Sequence, residues 1–346
     1  MSVTVRTFIG AGGLVLAALL LAGCGRPADP AKTAAAPATA AEKPLLKVGF
    51  QLDWFPSAEH GGHYQALVKN FYRDAGLDVT IVSGGPGQSG MQKVALGQIE
   101  FAMGRSDDVI LAVHQGLPLL IVGAQMQHDP QAIMVHDESP VKSFKDLDGK
   151  SIMVSPGSNW ITFVQSHYGV HFGTFPNDFG LARFMADPGF IQQIFVSNEP
   201  YYVGQHGVKT RALLIADAGY DPYRVIFTSQ AFAKEHPEAV RAFMAASVRG
   251  WTDYLHGDTT ATAARIHEEN QTQTAGQIAY TIDALKSHQL VEGDPAKGER
   301  TGLITPARMT SMVQTLVELQ VLPAPMPVED FARFEFVPAP PAPVKN

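Results

Sequence analysis

Four short stretches carry the side chains with which this chain can hold a small molecule. Asp53-Trp54 ends an alternating apolar run and is followed by Phe55-Pro56. An indole offers a flat heteroaromatic guest a broad π surface to stack on; the competing use of Trp54 is as a plug beneath the next helix. Asp53 either accepts an amino group from a guest or caps the turn before Pro56. Ser106-Asp107-Asp108 stands at the head of a helical stretch. Ser and Asp are good N-caps, so one of the three is accounted for by capping, and Asp107 is the one placed to accept an exocyclic amine. Ser155, Gly157, Ser158 and Asn159 fall between an apolar strand and a helix. Backbone N–H groups at such a helix start suit an anion or a carbonyl, with capping by Ser158 as the plainer alternative. Trp160 is either a second aromatic face or the anchor of its helix. Glu199 follows another apolar run; its carboxylate is able to accept two N–H bonds from an amino heterocycle, or to close a hinge salt bridge. Tyr201 is its neighbour.

Two other patterns are weaker than they look. Gly85-x-Gly87-x-x-Gly90 follows a strand and opens a helix, as a dinucleotide fingerprint does. That fingerprint requires an acidic residue about 20 positions on to hold the ribose. Here that position falls in the helix after Arg105, and Pro86 removes a backbone N–H. A Gly-rich wall of a small-molecule cleft, with Gly85 approaching the guest, is the better reading. The 12 histidines fit no metal-ligand spacing, His60 and His63 included, so no metal is expected.

Behind these stretches, strands and helices alternate. Leu45–Leu52, Leu77–Val82, Ile99–Met103, Leu119–Gln125 and Ala132–His136 read as strands, with helices over His63–Ala75, Met91–Leu96 and Asp107–Gln115 between them. A second series starts at Ser151–Val154, continues through a helix ending at Tyr168, and has strands at Gln193–Val196, Ala212–Ile215 and Arg224–Phe227. From Pro237 the pattern is helical, suggesting a return to cover the first lobe. Such alternation implies parallel sheets with right-handed crossovers. At 346 residues the chain exceeds what one core usually organises. Acidic residues outnumber basic ones 33 to 26 for a net charge of −7, which argues against a nucleic-acid partner. The single Cys rules out an internal disulfide and a Cys-rich metal or iron–sulfur site.

That Cys closes an N-terminal stretch, residues 1–24, with Arg6 ahead of a Gly-interrupted apolar run. It is too short for a comfortable membrane span of ~20 apolar residues and has the layout of a secretory signal. Leu21-Ala22-Gly23-Cys24 resembles a bacterial lipobox, which implies lipidation of Cys24. Residues 25–43 are Ala/Pro-rich and suit a flexible tether, and 337–346 read as a loose tail.

Leu52-Asp53-Trp54-Phe55-Pro56, His60, Tyr64-Gln65-Ala66-Leu67 and Gly76-Leu77-Asp78-Val79 together resemble the opening of the thiamine-pyrimidine-precursor group of periplasmic solute-binding proteins. Val94–Ala102, Leu147-Asp148-Gly149-Lys150 and Glu199-Pro200 continue the likeness. The resemblance covers about residues 45–255. It implies an α/β, two-lobed periplasmic-binding-protein fold of type II, with the ligand closed between lobes. The first lobe is expected at 44–135 plus 228–336 and the second at 136–227, with Ala132–His136 and Arg224–Thr228 as crossings. His60 then matches the family histidine that meets a ring nitrogen, against a loop-capping role, and Tyr64 either contributes or starts its helix's core. The family includes an enzyme that builds the pyrimidine from its own histidine and pyridoxal phosphate. Its lysine falls at Gly104 here, its histidine at Asp108 and its cysteines near Arg224–Ser229. A glycine forms no Schiff base, so binding without chemistry and without a cofactor is implied. The expected partners are a small heteroaromatic ligand and the permease and ATPase of an ABC importer, with the membrane reached through the lipid alone, outside the cytoplasm, as a monomer. A sulfonate or nitrate receptor on the same fold and a ligand-sensing domain are the competing functions; an anion receptor calls for convergent arginines, and Arg105 and Arg183 are the candidates near the expected cleft.

Overall fold

In the computed structural model the described residues are 44–339. The signal at 1–24 with Cys24, the tether at 25–43 and residues 340–346 lie outside them. Ten strands form: β1 (Leu46–Gln51), β2 (Leu77–Val82), β3 (Phe101–Arg105), β4 (Leu119–Met126), β5 (Gln131–His136), β6 (Ser151–Val154), β7 (Gly173–Pro176), β8 (Gln192–Phe195), β9 (Thr210–Leu214) and β10 (Arg224–Ser229). They build two five-stranded sheets in the orders β2-β1-β3-β10-β4 and β7-β6-β8-β5-β9.

Each sheet is mixed rather than parallel throughout. β1 runs parallel to β2 and β3, while β10 lies antiparallel between β3 and β4. In the second sheet β5 lies antiparallel between β8 and β9. Both exceptions are strands by which the chain changes sheets. This corrects the expected lobe boundaries at 135/136 and 227/228: residues 131–136 already pair in the second sheet, and 224–229 have rejoined the first. The ladders bind these strands on both edges, so the crossings are the irregular segments before them, at about 127–130 and 215–223. His128 on the outward crossing meets Asp221 on the return one, with Nδ1 to Oδ2 at 2.6 Å.

The helices are α1 (Gly61–Val68), α2 (Phe71–Asp74), α3 (Gly90–Ala95), α4 (Ser106–His114), α5 (Asn159–Tyr168), α6 (Ala182–Ala186), α7 (Glu199–Gln205), α8 (Gln230–Glu235), α9 (Pro237–His256), α10 (Thr260–Glu269), α11 (Ala275–Ser287) and α12 (Pro306–Glu318). The single helix expected over His63–Ala75 breaks at Asn70, whose φ of 61° is left-handed, a conformation Asn tolerates. α1 and α9 cross closely: a Cβ on Gly62 would lie 2.1 Å from the Trp251 ring, and one on Gly250 2.2 Å from the Gly62 carbonyl oxygen.

The first sheet rests on stacked aromatics, Phe101 and Tyr72 on the two sides of Phe243 at centroid distances of 4.2 and 5.1 Å. Burying one such phenylalanine contributes about 1.5–3 kcal/mol. The C-terminal helices cover more than the first lobe. Trp251, Tyr254 and Leu285 share a cluster with Met134, Met153 and Phe184 of the second, so the two lobes meet over apolar surface on that side. The tail is docked where it begins: Val337 packs on the core and donates its N–H to the Phe334 carbonyl. Among the described residues no helix is long and apolar enough to cross a membrane.

Candidate functional site

The carboxyl ends of β1, β3, β6 and β8 face one another across a cleft of about 490 Å3, where open α/β sheets place their ligands. Because β5 and β10 run the opposite way, their first residues, Gln131 and Arg224, arrive at the same cleft.

Charge dominates its floor. Arg224 donates to Asp53 Oδ2 and lies 3.7 Å from Asp129. Burial alone would raise the Asp53 carboxyl, but the Arg224 guanidinium and a hydrogen bond to His60 hold it well below the usual range. Arg105 donates through Nε and Nη2 to the two oxygens of Asp107 at 3.1 and 2.9 Å, and to Asp108 at 3.1 Å. Both cleft arginines are therefore occupied by carboxylates. Glu59 and Glu199 have no such partner, and Asp129 meets Arg224 only at 3.7 Å. Burial pushes Glu59 up to about 8, against a Ser197 hydroxyl that donates to it, and burial raises Glu199 and Asp129. Desolvation favours the neutral acid in each case.

The mouth is aromatic. Trp54 from the first lobe and Phe179 from the second approach to 5.1 Å between ring centroids. Phe179 is 58% exposed and holds a left-handed φ of 60°, supported by its N–H bond to Asn177 Oδ1 at 2.7 Å. A bulky exposed residue in that conformation is costly on two counts, a combination found where a site needs a side chain aimed. Phe195 continues the apolar wall, with the Arg224 guanidinium 5.2 Å from its ring.

Of the residues singled out in the sequence, Asp53, Trp54, Ser155, Gly157, Ser158 and Glu199 line this cleft. Glu199 accepts the Phe195 N–H at 2.8 Å. The Ser158 side chain does not cap α5; its hydroxyl donates to the Ser155 carbonyl at 2.9 Å.

The other candidates lie elsewhere. His60 is buried behind Asp53, with Nε2 3.0 Å from Asp53 Oδ1 and Nδ1 3.1 Å from Ser57 Oγ, so both ring nitrogens are engaged and one of them supports Asp53. Tyr64 is core, its hydroxyl donating to Glu269. Asp107 is fully buried and receives Tyr220 and Asn159 at 2.6 and 3.0 Å; one residue on, Asp108 takes the cleft-facing place. Asn159 is thereby a bridge between lobes. Ser106 is buried, its N–H bonded to the Tyr223 carbonyl. Gly85 sits against the Phe55 ring, and the cleft wall is made by Gln88–Gly90 instead. Tyr201 packs on Tyr202 and Tyr280. Trp160 anchors α5 at 1% exposure.

Glu59, Asp108, Phe179 and Arg224 were not read from the sequence as cleft residues, and Arg105 only as a nearby cation. Arg224 had one signal, a lone charge heading the apolar run Val225-Ile226-Phe227. Among the described residues no cluster of three or more His, Cys, Asp or Glu is arranged to hold a metal.

Residues 57–260 match the NMT1/THI5-like family. The chain is 28% identical over 260 residues to the riboflavin-binding protein RibY of Chloroflexus aurantiacus, covering 70% of this chain and 72% of that one. It is 26% identical over 220 residues to the formylaminopyrimidine-binding protein of Halalkalibacterium halodurans, covering 61% and 67%. Among solved structures, the periplasmic aliphatic sulphonate-binding protein SsuA of Escherichia coli superposes with a TM-score of 0.60 at 17% identity, over 83% of this chain and 91% of that one. At that identity SsuA speaks for the fold, and the match over 57–260 for kinship: the chain belongs to the NMT1/THI5-like family and has the two-lobed periplasmic-binding-protein fold.

Proposed function

We propose that the protein is an extracytoplasmic solute-binding protein that closes its two lobes on a flat, uncharged or weakly basic nitrogen heterocycle and delivers it to an ABC importer. The observation that carries this reading is the pairing of both cleft arginines with carboxylates beneath an aromatic mouth. An anion would have to displace those carboxylates, whereas a ring bearing N–H groups finds acceptors at Glu199 and Asp108 and a stacking surface at Trp54. The relatives named for riboflavin and formylaminopyrimidine bind heterocycles of this kind. An aminopyrimidine related to thiamine and a flavin are the first candidates. The ligand leaves unchanged: Gly104, where the resemblance puts the enzyme's lysine, lines the cleft without an amine. Closure is a hinge motion about the two crossings, the closed form is the one that docks on the permease, and the protein works as a monomer.

Calorimetry against a panel of aminopyrimidines, riboflavin, alkanesulfonates and nitrate tests this. Heterocycles should bind, and Glu199→Gln should weaken them by about 2–5 kcal/mol, the usual loss for a buried charged hydrogen bond. Trp54→Ala should remove about 0.5–1.5 kcal/mol beyond the lost contact area for every aromatic ligand. Tight sulfonate or nitrate binding that survives both substitutions would overturn the reading in favour of an anion receptor.

The protein is held at the membrane through lipidated Cys24, the single Cys of the chain, following Leu-Ala-Gly. Cys24→Ser should move it from the membrane to the soluble extracytoplasmic fraction; a variant that still pellets with membranes and is released by detergent would exclude the anchor.

A further inference from the structure

Two phenylalanines flank Trp54. Phe55 of the same lobe meets the indole edge-on, at 5.4 Å between centroids and 71° between planes, and Phe179 of the second lobe meets it at 5.1 Å and 44°. Phe55 belongs firmly to the first lobe: it is the next residue in the chain, and its ring lies against Gly85, where a Cβ would come within 3.1 Å of it. Phe179 stands on the loop between β7 and α6, residues 177–181. Held in a left-handed backbone at φ 60°, rare for a bulky side chain, it sends its ring across the mouth to the other lobe.

This spacing leaves no room for a guest between the two rings. Rings that sandwich a third sit ~7–8 Å apart, twice the ~3.5–4.0 Å of carbon–carbon contact. The 5.1 Å between Trp54 and Phe179 is that of a direct aromatic pair. With Phe55 on another side, a ring that stacks on the indole has to take the place of one phenylalanine. Phe179 is the one able to yield. Opening the lobes carries it away from Trp54, whereas Phe55 travels with the indole.

We infer that Phe179 is a specificity-determining stand-in for the ligand's ring: it holds the indole until a guest displaces it. Every guest that stacks on Trp54 then gives up the same aromatic pair, about two- to tenfold in affinity. A planar ring replaces the lost contact, and a solute without a ring gives the indole nothing in return. This rests on the reading of Trp54 as the stacking surface and adds a competitor for it.

Trp160 and Trp251 are 1% exposed, so of the three tryptophans Trp54 is the one that a quencher in solution reaches. In the purified protein with no ligand added, Phe179→Ala is expected to shift tryptophan emission to the red and to raise its quenching by acrylamide. Trp54→Phe in the same background should abolish both changes. Calorimetry with an aminopyrimidine and with riboflavin is expected to show Phe179→Ala binding each of them about two- to tenfold more tightly than the parent, by one common factor. Phe179→Tyr, which keeps a ring at the mouth, should bind as the parent does. Emission and quenching unchanged by Phe179→Ala would overturn the stand-in by removing the contact. Unchanged affinity would make the ring a bystander, and lowered affinity would make it a wall of the ligand's own site; either overturns the stand-in and leaves the heterocycle reading in place. Binding of neither compound to parent or variant would overturn both.

Discussion

Two charged clusters lie within one lobe junction and are built on opposite principles. At the crossings, His128 lies between Asp221 and Glu299 at 2.6 and 3.0 Å, and Arg308 donates to the Asp221 carboxylate at 2.7 Å while its guanidinium covers the Tyr223 ring at 3.9 Å. One guanidinium and one imidazole meet two carboxylates, and every partner is engaged. At the cleft, Arg105 and Arg224 face Asp53, Asp107, Asp108, Asp129, Glu59 and Glu199. Acids exceed cations there, and burial pushes several of them toward the protonated form. A closed cluster needs nothing further to be stable. An open one keeps acceptors and acid protons for a guest, which is how the binding site differs from the hinge although both are rich in ion pairs.

The largest effect expected from breaking this contrast is at Arg224. Arg224→Met leaves Asp53 and Asp129 buried without their cation and should cost about 3–5 kcal/mol in chemical denaturation; a loss under about 1 kcal/mol would mean that the cleft acids do not depend on it. Next is the hinge. The hydrogen bond to Asp221 raises His128, with burial opposing and the charges of Asp221 and Glu299 adding to the rise. A raised imidazole pKa gives stability that is complete below the ordinary value near 6.5 and is lost as pH climbs through the native one. His128→Gln should thus cost about 1–2 kcal/mol in mild acid and progressively less in alkaline solution. A difference independent of pH would show that the ring is neutral. At Glu59 the effect is read in a pH profile. With its carboxyl raised to about 8 from an ordinary 4.5, the folded protein binds the extra proton, and stability falls as pH rises across that window. Glu59→Gln mimics the protonated acid, so its stability relative to the parent should rise over the same interval and level off above it; parallel pH profiles would remove Glu59 from the list of acids held neutral.

Local pattern made much of the fold legible. β2 spans Leu77–Val82 as the alternation predicts, and the start of α5 at Asn159 was readable because the Pro156-Gly157 turn ahead of it announces itself. What escaped was whatever depends on a distant partner. Nothing near Asn70 in the chain demands its left-handed turn. Asp107 and Asp108 are adjacent and alike, and only Arg105, Tyr220 and Asn159, arriving from three places, decide which is buried. Arg224 meets Asp53 across 171 positions. His60 shows the same limit from the other side: its place near the site was readable, but its role as a support for Asp53 follows from ring nitrogens already taken by Ser57 and Asp53. Phe179 gave no signal, lying in the polar loop Asn177-Asp178-Phe179-Gly180.

The seat of β10 at the interior of the first sheet has a consequence for biogenesis. Among the described residues β4 has β10 as its one neighbouring strand, and β3 lacks its second one until residues 224–229 are available. The second sheet, drawn from 131–214, is complete by then. A chain made from its N-terminus therefore cannot finish the first lobe before about two-thirds of its length is available. Pairing across that separation is intrinsically slow, whereas the second lobe's sheet has all of its strands within 131–214 and can settle first.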